Sequence, residues 1–259
     1  MKLNLEKKIA LVTGSSKGIG KGIATALLQE GARVAISGRN ELTLSATFNE
    51  LQKQFPNQDI LKIQGDLTQA SDIDRCLQTI TASWGPVDLL CLNLGSGKSI
   101  SGWDIGRSDW QTAIDANLLA ATSMCQAAIP GMIEKKSGNI IFISSITGVE
   151  STSAPLPYSA AKAALLSYAK NLSRLLAKDG IRVNSIAPGN ILFEGGTWET
   201  KLETQPDLTR SYIEENVPLN TFGDPADIGS LASYLFSDVS KFITGSCFVI
   251  DGGQIRSQV

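Results

Sequence analysis

Residues 8–20 read KIALVTGSSKGIG. The apolar run Ile9 to Val12 is too short for a helix and is bounded by turn residues, so it reads as a buried strand. Behind it Ile19, Ile23 and Leu27 recur at a spacing of four, and Gly31 stands where a helix C′ residue belongs. The stretch is therefore strand, glycine turn, helix. Glycines in that turn let the backbone bend tightly and approach a pyrophosphate, while the helix N-terminus presents unpaired N–H groups to an anion. The spacing is GxxxGxG rather than GxGxxG, so the motif gains its weight from its place between strand and helix.

Outward from this turn the alternation repeats. Short aliphatic runs lie at 33–38, 60–66, 87–93, 139–145, 182–189 and 246–253, each ending in Gly, Ser, Asp or Asn. Near-continuous apolarity predicts strands buried on both faces. Helical patterns intervene, among them 157–178 and 224–236, where Asp224 and Pro225 read as N-cap and N1. Seven strands alternating with about six helices predict an α/β doubly wound parallel sheet with helices on both faces. Without repeats or linkers, residues 1–259 are expected to form one domain. The polar segment at about 190–215, with Gly195, Gly196 and Trp198, reads as irregular and, at the carboxyl end of a strand, as a substrate lid.

Composition removes several function classes. The 259 residues contain no histidine, which excludes Ser-His-Asp hydrolysis, Cys-His proteolysis and His-ligated metal; no metal site is expected. Net charge is −2, which gives no electrostatic reason for a nucleic-acid or anionic-membrane partner. No run is apolar enough to span a membrane, and the N-terminal apolar run is too short for a signal peptide. Cys76, Cys91, Cys125 and Cys247 have neither zinc nor disulfide spacing and read as reduced thiols in a cytoplasmic protein.

Three residues suggest chemistry. Ser145 ends the fifth run, and Tyr158 and Lys162, four apart at a helix start, share one face. Interconverting a carbonyl and an alcohol needs a proton donor and stabilisation of the developing alkoxide. Moving a phenol from near ~10 to about 7 takes ~4 kcal/mol, roughly what an ammonium at ~4 Å supplies. Lys162 is thus expected to lower the pKa of Tyr158. One decoy, Gly95-Ser96-Gly97-Lys98-Ser99, lacks the earlier glycine of a P-loop, since position 92 is Leu, and 100–108 does not read as a helix.

Together these motifs resemble the short-chain dehydrogenase/reductase family over nearly the whole chain. TGSSKGIG (13–20) is similar to its cofactor turn, and YSAAK (158–162) to its YxxxK motif, with Ser145 thirteen residues upstream. Asn117 in DANLLAA, Asp66 in GDLT, Pro188-Gly189 and the FVIDGG ending match further family positions. The resemblance implies a Rossmann-type sheet of order 3-2-1-4-5-6-7. It also implies a homo-oligomer, a tetramer built from two helices and the last strand, or a dimer. Catalytic roles pass to Asn117, Ser145, Tyr158 and Lys162: Tyr158 as acid or base, Lys162 bonding the nicotinamide ribose, Ser145 orienting the carbonyl, Asn117 holding a water. Cofactor contacts pass to Gly14, Ser16, Lys17, Gly18, Ile19, Gly20, Arg39, Asp66, Leu67, Asn93, Gly95, Tyr158, Lys162, Pro188, Gly189 and Ile191.

Two departures stand out. The family's NNAG is Leu92-Asn93-Leu94-Gly95, and Phe193 replaces a Thr that often bonds the carboxamide, leaving that bond to the backbone at Ile191. Gly38 occupies the place of the acidic residue of NAD-preferring members. Lys17 and Arg39 are then available to a 2′-phosphate, so NADP(H) is expected over NAD(H). The function implied is hydride transfer between NADP(H) and a small-molecule carbonyl or secondary alcohol, with 3-oxoacyl-thioester reduction as an alternative. A catalytically silent NADP(H)-binding regulatory or scaffold protein is the alternative of another class. Trp103 and Trp198 are candidates to stack on a flat substrate, and Glu194, Glu199 and Glu203 make the lid acidic.

Overall fold

In the computed structural model, which describes residues 2–257, the strands are β1 (Ile9–Val12), β2 (Arg33–Gly38), β3 (Ile60–Gln64), β4 (Leu89–Leu92), β5 (Gly138–Ile143), β6 (Ile181–Pro188) and β7 (Cys247–Ile250). They pair in parallel throughout, in the order β3-β2-β1-β4-β5-β6-β7. Val12 lies between Ile36 of β2 and Cys91 of β4, so the turn after β1 opens at the middle of the carboxyl edge. The topology is the expected doubly wound one.

The helices are α1 (Gly18–Gln29), α2 (Glu41–Gln54), α3 (Ala70–Trp84), α4 (Arg107–Ile114), α5 (Ala120–Lys135), α6 (Leu156–Leu176), α7 (Thr197–Thr204), α8 (Pro206–Asn216) and α9 (Pro225–Phe236). Alternate strand residues feed two apolar cores. Leu90, Leu92, Ile140 and Phe142 pack with α3, α5 and α6, while Leu89, Cys91, Ile141 and Ile143 pack with α1, α2 and α9. The α9 start is the expected cap: Asp224 accepts from the Ala226 N–H, and Asp227 accepts from the Asp224 N–H.

Two expectations are corrected. The described residues hold nine α-helices rather than about six, and the segment at 190–215 is mostly the helices α7 and α8. Its two glycines precede α7 rather than interrupt it, Pro206 opens α8, and the few apolar residues (Trp198, Leu202, Tyr212, Ile213) are spaced for short amphipathic helices. Burial on both faces holds for the central strands. The edge strands β3 and β7 are only half-buried, having a neighbour on one side alone.

Phe142 is fully buried on β5 and meets Tyr168 of α6 edge-on, with ring centroids 5.7 Å apart. That contact fixes the helix carrying Tyr158 and Lys162 to the sheet. Phe142→Ala is expected to lower unfolding free energy by about 3–5 kcal/mol, measured by urea denaturation.

Candidate active site

The carboxyl edge carries a cleft of about 410 Å³. Its floor is the glycine turn. Ser15 Oγ donates to the Val12 carbonyl (2.6 Å) and accepts from the Ser37 N–H (2.9 Å), joining the ends of β1 and β2. Thr13 Oγ1 donates to the Cys91 carbonyl and accepts from the Asn93 N–H, joining β1 to β4. Asn93 Nδ2 donates to the Gly14 carbonyl (3.0 Å). A Cβ on Gly20 would lie 2.5 Å from the Gly14 oxygen and 2.6 Å from Asn93 Nδ2, so only glycine admits this turn. The first turn of α1 has no acidic residue and no side-chain cap, which leaves its N–H groups available to an anion.

Among the sequence-derived candidates, Gly14, Ser16, Lys17, Ile19, Arg39, Asp66, Leu67, Asn93, Gly95, Tyr158 and Lys162 line this one cleft. Gly18, Gly20, Asn117, Ser145, Pro188, Gly189 and Ile191 are not among the residues that line it. Asp66 caps its own turn, accepting from Thr68 N and Oγ1. Gly189 is tied by its N–H to the Ile250 carbonyl of β7. Ile191 forms a parallel bridge with Gly223 through its neighbours Asn190 and Leu192. The geometry of such a bridge turns the Ile191 N–H and C=O to the opposite side, where neither is hydrogen-bonded among the described residues. The candidates omitted Ser37, Gly65, Thr68, Leu94, Ala116 and Ser144, which also line the cleft. Ser37 and Ser144 were open to inference from their place at the ends of buried strands, where ligands of open α/β sheets bind.

The titratable groups sit at the cleft's other end. Lys162 is 4% exposed, and its Nζ donates to the Ile143 carbonyl at 2.9 Å. An ammonium has three donors, and the carbonyl uses one. A Cβ on Gly95 would lie 3.0 Å from Lys162 Nζ and 2.6 Å from Asn117 Oδ1, so these groups converge there. Asn117 stands in a π-turn, Asp115–Leu119, between α4 and α5. Its Oδ1 accepts from the Ser96 N–H (2.9 Å) and its Nδ2 donates to the Ala113 carbonyl (2.9 Å), so its side chain ties the Ser96 loop to α4.

The electrostatics correct the sequence expectation for Tyr158. Burial holds its hydroxyl above the usual phenol range, and a hydrogen bond with Ser145 offsets this only in part. The Lys162 amine itself is pulled down to about 8 by burial, with no carboxylate partner among the described residues. Desolvation therefore outweighs the Ser145 hydrogen bond at the phenol.

Three further side chains already have neighbours of their own. Lys17 Nζ donates to the Gly195 carbonyl (2.8 Å), leaving Arg39 as the guanidinium at the cleft mouth without an ion pair among the described residues. Phe193 covers Gly18: a Cβ there would lie 2.6 Å from its ring. Trp198 stacks on Tyr212 with centroids 5.4 Å apart, and Lys201 Nζ stands 4.2 Å from its ring centroid, so its faces are occupied within the segment. Trp103 is 87% exposed on the connection between β4 and α4.

A family model described as enoyl-(acyl carrier protein) reductase matches residues 14–254. The uncharacterized oxidoreductase YvaG of Bacillus subtilis (strain 168) is 33% identical over 268 residues, 99% of each chain. The chain belongs to the short-chain dehydrogenase/reductase family of oxidoreductases. The 3-oxoacyl-[acyl-carrier-protein] reductase FabG of Vibrio harveyi is 32% identical to this family member over 252 residues, 97% of this chain and 98% of FabG. A solved structure of L-sorbose reductase from Gluconobacter frateurii, complexed with NADPH and L-sorbose, superposes with a TM-score of 0.93 at 28% identity over 100% of both chains.

The Lys162 values set a stability test. The folded pKa of about 8 lies below the ordinary lysine value of 10.5, so between them the folded state binds fewer protons and stability rises with pH. The unfolding free energy of wild type minus Lys162→Met is expected to increase by about 3 kcal/mol from pH 7.5 to 10.5. A flat difference in urea unfolding across that window would contradict the buried ammonium.

Proposed function

We propose that this protein is an NADP(H)-dependent oxidoreductase that interconverts a small-molecule carbonyl and a secondary alcohol, with Tyr158 as acid and base. The reading takes residues 1–259 as one catalytic domain and the segment at 190–215 as a substrate lid. The observation that carries it is that Tyr158 and Lys162 line the same cleft as the glycine turn and Arg39.

The residues present fit such a cofactor. The uncapped α1 N-terminus suits the pyrophosphate. Gly38 adds no carboxylate beside Ser16 and Arg39, which suits a 2′-phosphate. The two remaining Lys162 donors suit ribose hydroxyls, and the free Ile191 backbone suits a carboxamide. Phe193 covers the pyrophosphate end of the turn, so binding there goes with displacement of its ring. NADPH in the L-sorbose reductase structure supports the same choice. The bound nicotinamide supplies or accepts the hydride.

The chain's own residues manage the proton. In reduction the Tyr158 hydroxyl protonates the carbonyl oxygen, and Ser145 holds that oxygen by a hydrogen bond. The Lys162 ammonium then faces the phenolate left behind, and its charge is strongest in the water-poor cleft. Because burial alone raises the Tyr158 pKa, the charged form depends on Lys162. Asn117 acts on this group through the Ser96 loop, as a positioning residue.

The carbonyl of a 3-oxoacyl thioester is one substrate reading, supported by the FabG relative, and a keto sugar is another, supported by the sorbose reductase. Further proposals, resting on the family resemblance, are a homo-oligomer and a cytoplasmic setting. No helix among the described residues is long and apolar enough to cross a membrane.

Tyr158→Phe is expected to lower carbonyl-dependent NADPH oxidation by about 10²–10⁴-fold while NADPH still binds. A wild type as inert as this variant across a carbonyl panel, with both binding NADPH, would favour a silent binding protein. Arg39→Ala is expected to weaken NADPH by roughly 10–150-fold and leave NADH affinity nearly unchanged, as read by fluorescence titration. Equal losses for both cofactors would remove the 2′-phosphate assignment.

A further inference from the structure

Past β7 the chain turns back over the carboxyl edge. Asp251 braces this turn, its Oδ1 accepting from the Gly253 N–H and its Oδ2 from the Ile255 N–H. Gln254, half-buried, then spans two segments. Its Oε1 accepts from Asn190 Nδ2 at 2.9 Å, and its Nε2 donates to the Tyr212 hydroxyl at 3.0 Å. Asn190 follows Gly189 at the end of β6, beside the backbone assigned to the carboxamide. Tyr212 belongs to α8 and stacks on Trp198 of α7, which also meets Phe222 at 5.5 Å. Two residues on, the N–H groups of Arg256 and Ser257 donate to Glu150 Oε2 at 2.9 and 2.7 Å. Glu150 closes the short turn that begins at Ser145, its own N–H bonded to the Ile146 carbonyl.

One strap, Asp251–Ser257, thus joins the turn after Ser145, the turn after β6 and both lid helices. We propose that Gln254 is a positioning residue that fixes α7 and α8 relative to Ser145 and Tyr158, and so sets substrate affinity without touching the reacting atoms. Its side-chain amide is suited to this task because it accepts on one arm and donates on the other, bridging an amide donor and a phenol acceptor. The aromatic stack carries the restraint from Tyr212 onward, since Trp198 stacks on Tyr212 and also lies against Lys201 Nζ. The kinetic half of the inference rests on the reading of these helices as a substrate lid.

The test uses the full chain with Gln254→Leu, Tyr212→Phe and the double variant. Hydrogen exchange without cofactor is read over Thr197–Asn216 and over β4 and β5. Loss of both bonds is expected to speed exchange in the lid helices about tenfold while the sheet is unchanged. Tyr212→Phe is expected to reproduce part of that effect, and the double variant to add nothing to Gln254→Leu. With NADPH and either ethyl acetoacetate or L-sorbose, KM is expected to rise about fivefold with kcat within about twofold. Unchanged lid exchange, additive variants, or equal acceleration in the sheet would overturn the clasp. If wild type reduces neither probe, the proposed function loses support, and the exchange data still decide the clasp.

Discussion

A parallel sheet gathers the carboxyl ends of all its strands on one edge, and here that edge takes in an ammonium that no carboxylate among the described residues meets. Lys162 is held by the last carbonyl of β5 and by its place in α6, which Phe142 and Tyr168 lock to the sheet. Burying such a charge costs about 3 kcal/mol by the displacement of its pKa to about 8. Sites that store this kind of unfavourable electrostatics are where function is expected to outweigh stability. The π-turn that carries Asn117 and the loop at Gly95 and Ser96 converge on that one group.

The sheet was legible because its evidence is local. Each buried strand is a short apolar run, each helix shows its period, and Asp224-Pro225 announces α9 within two residues. The site motifs were legible for the same reason: Tyr158 and Lys162 are one helical turn apart. What sequence could not show depends on contacts between distant segments. Whether a phenol is acidified or suppressed is decided by how much water its surroundings exclude, and that belongs to the packed structure. Nothing in the sequence near Lys17 shows that its ammonium donates a hydrogen bond to the Gly195 carbonyl, 178 positions away. Nothing near Gln254 points to Tyr212, 42 residues earlier, and Glu150 stands 106 residues before Arg256.

The segment after β6 was misjudged for a different reason. Glycine and polar residues there suggested irregular chain, but short helices need few apolar anchors when an aromatic stack ties them together. Trp198, Tyr212 and Phe222 form a small core of their own, outside the two that flank the sheet. A mini-core of this kind moves as a unit more readily than it unravels, because its internal contacts survive displacement.

The two attachments of that unit differ in kind. On the cofactor side it is held by Lys17 on the Gly195 carbonyl, a solvent-exposed bond, with Phe193 resting on Gly18. Water replaces such exposed bonds at little cost, and a phosphate arriving at the α1 N-terminus competes for the same lysine and the same space. On the far side the bonds through Gln254 are partly buried and belong to a strap that is itself braced. The asymmetry follows from solvent exposure: a hydrogen bond that water reaches is replaced at little cost, and one that water does not reach is kept.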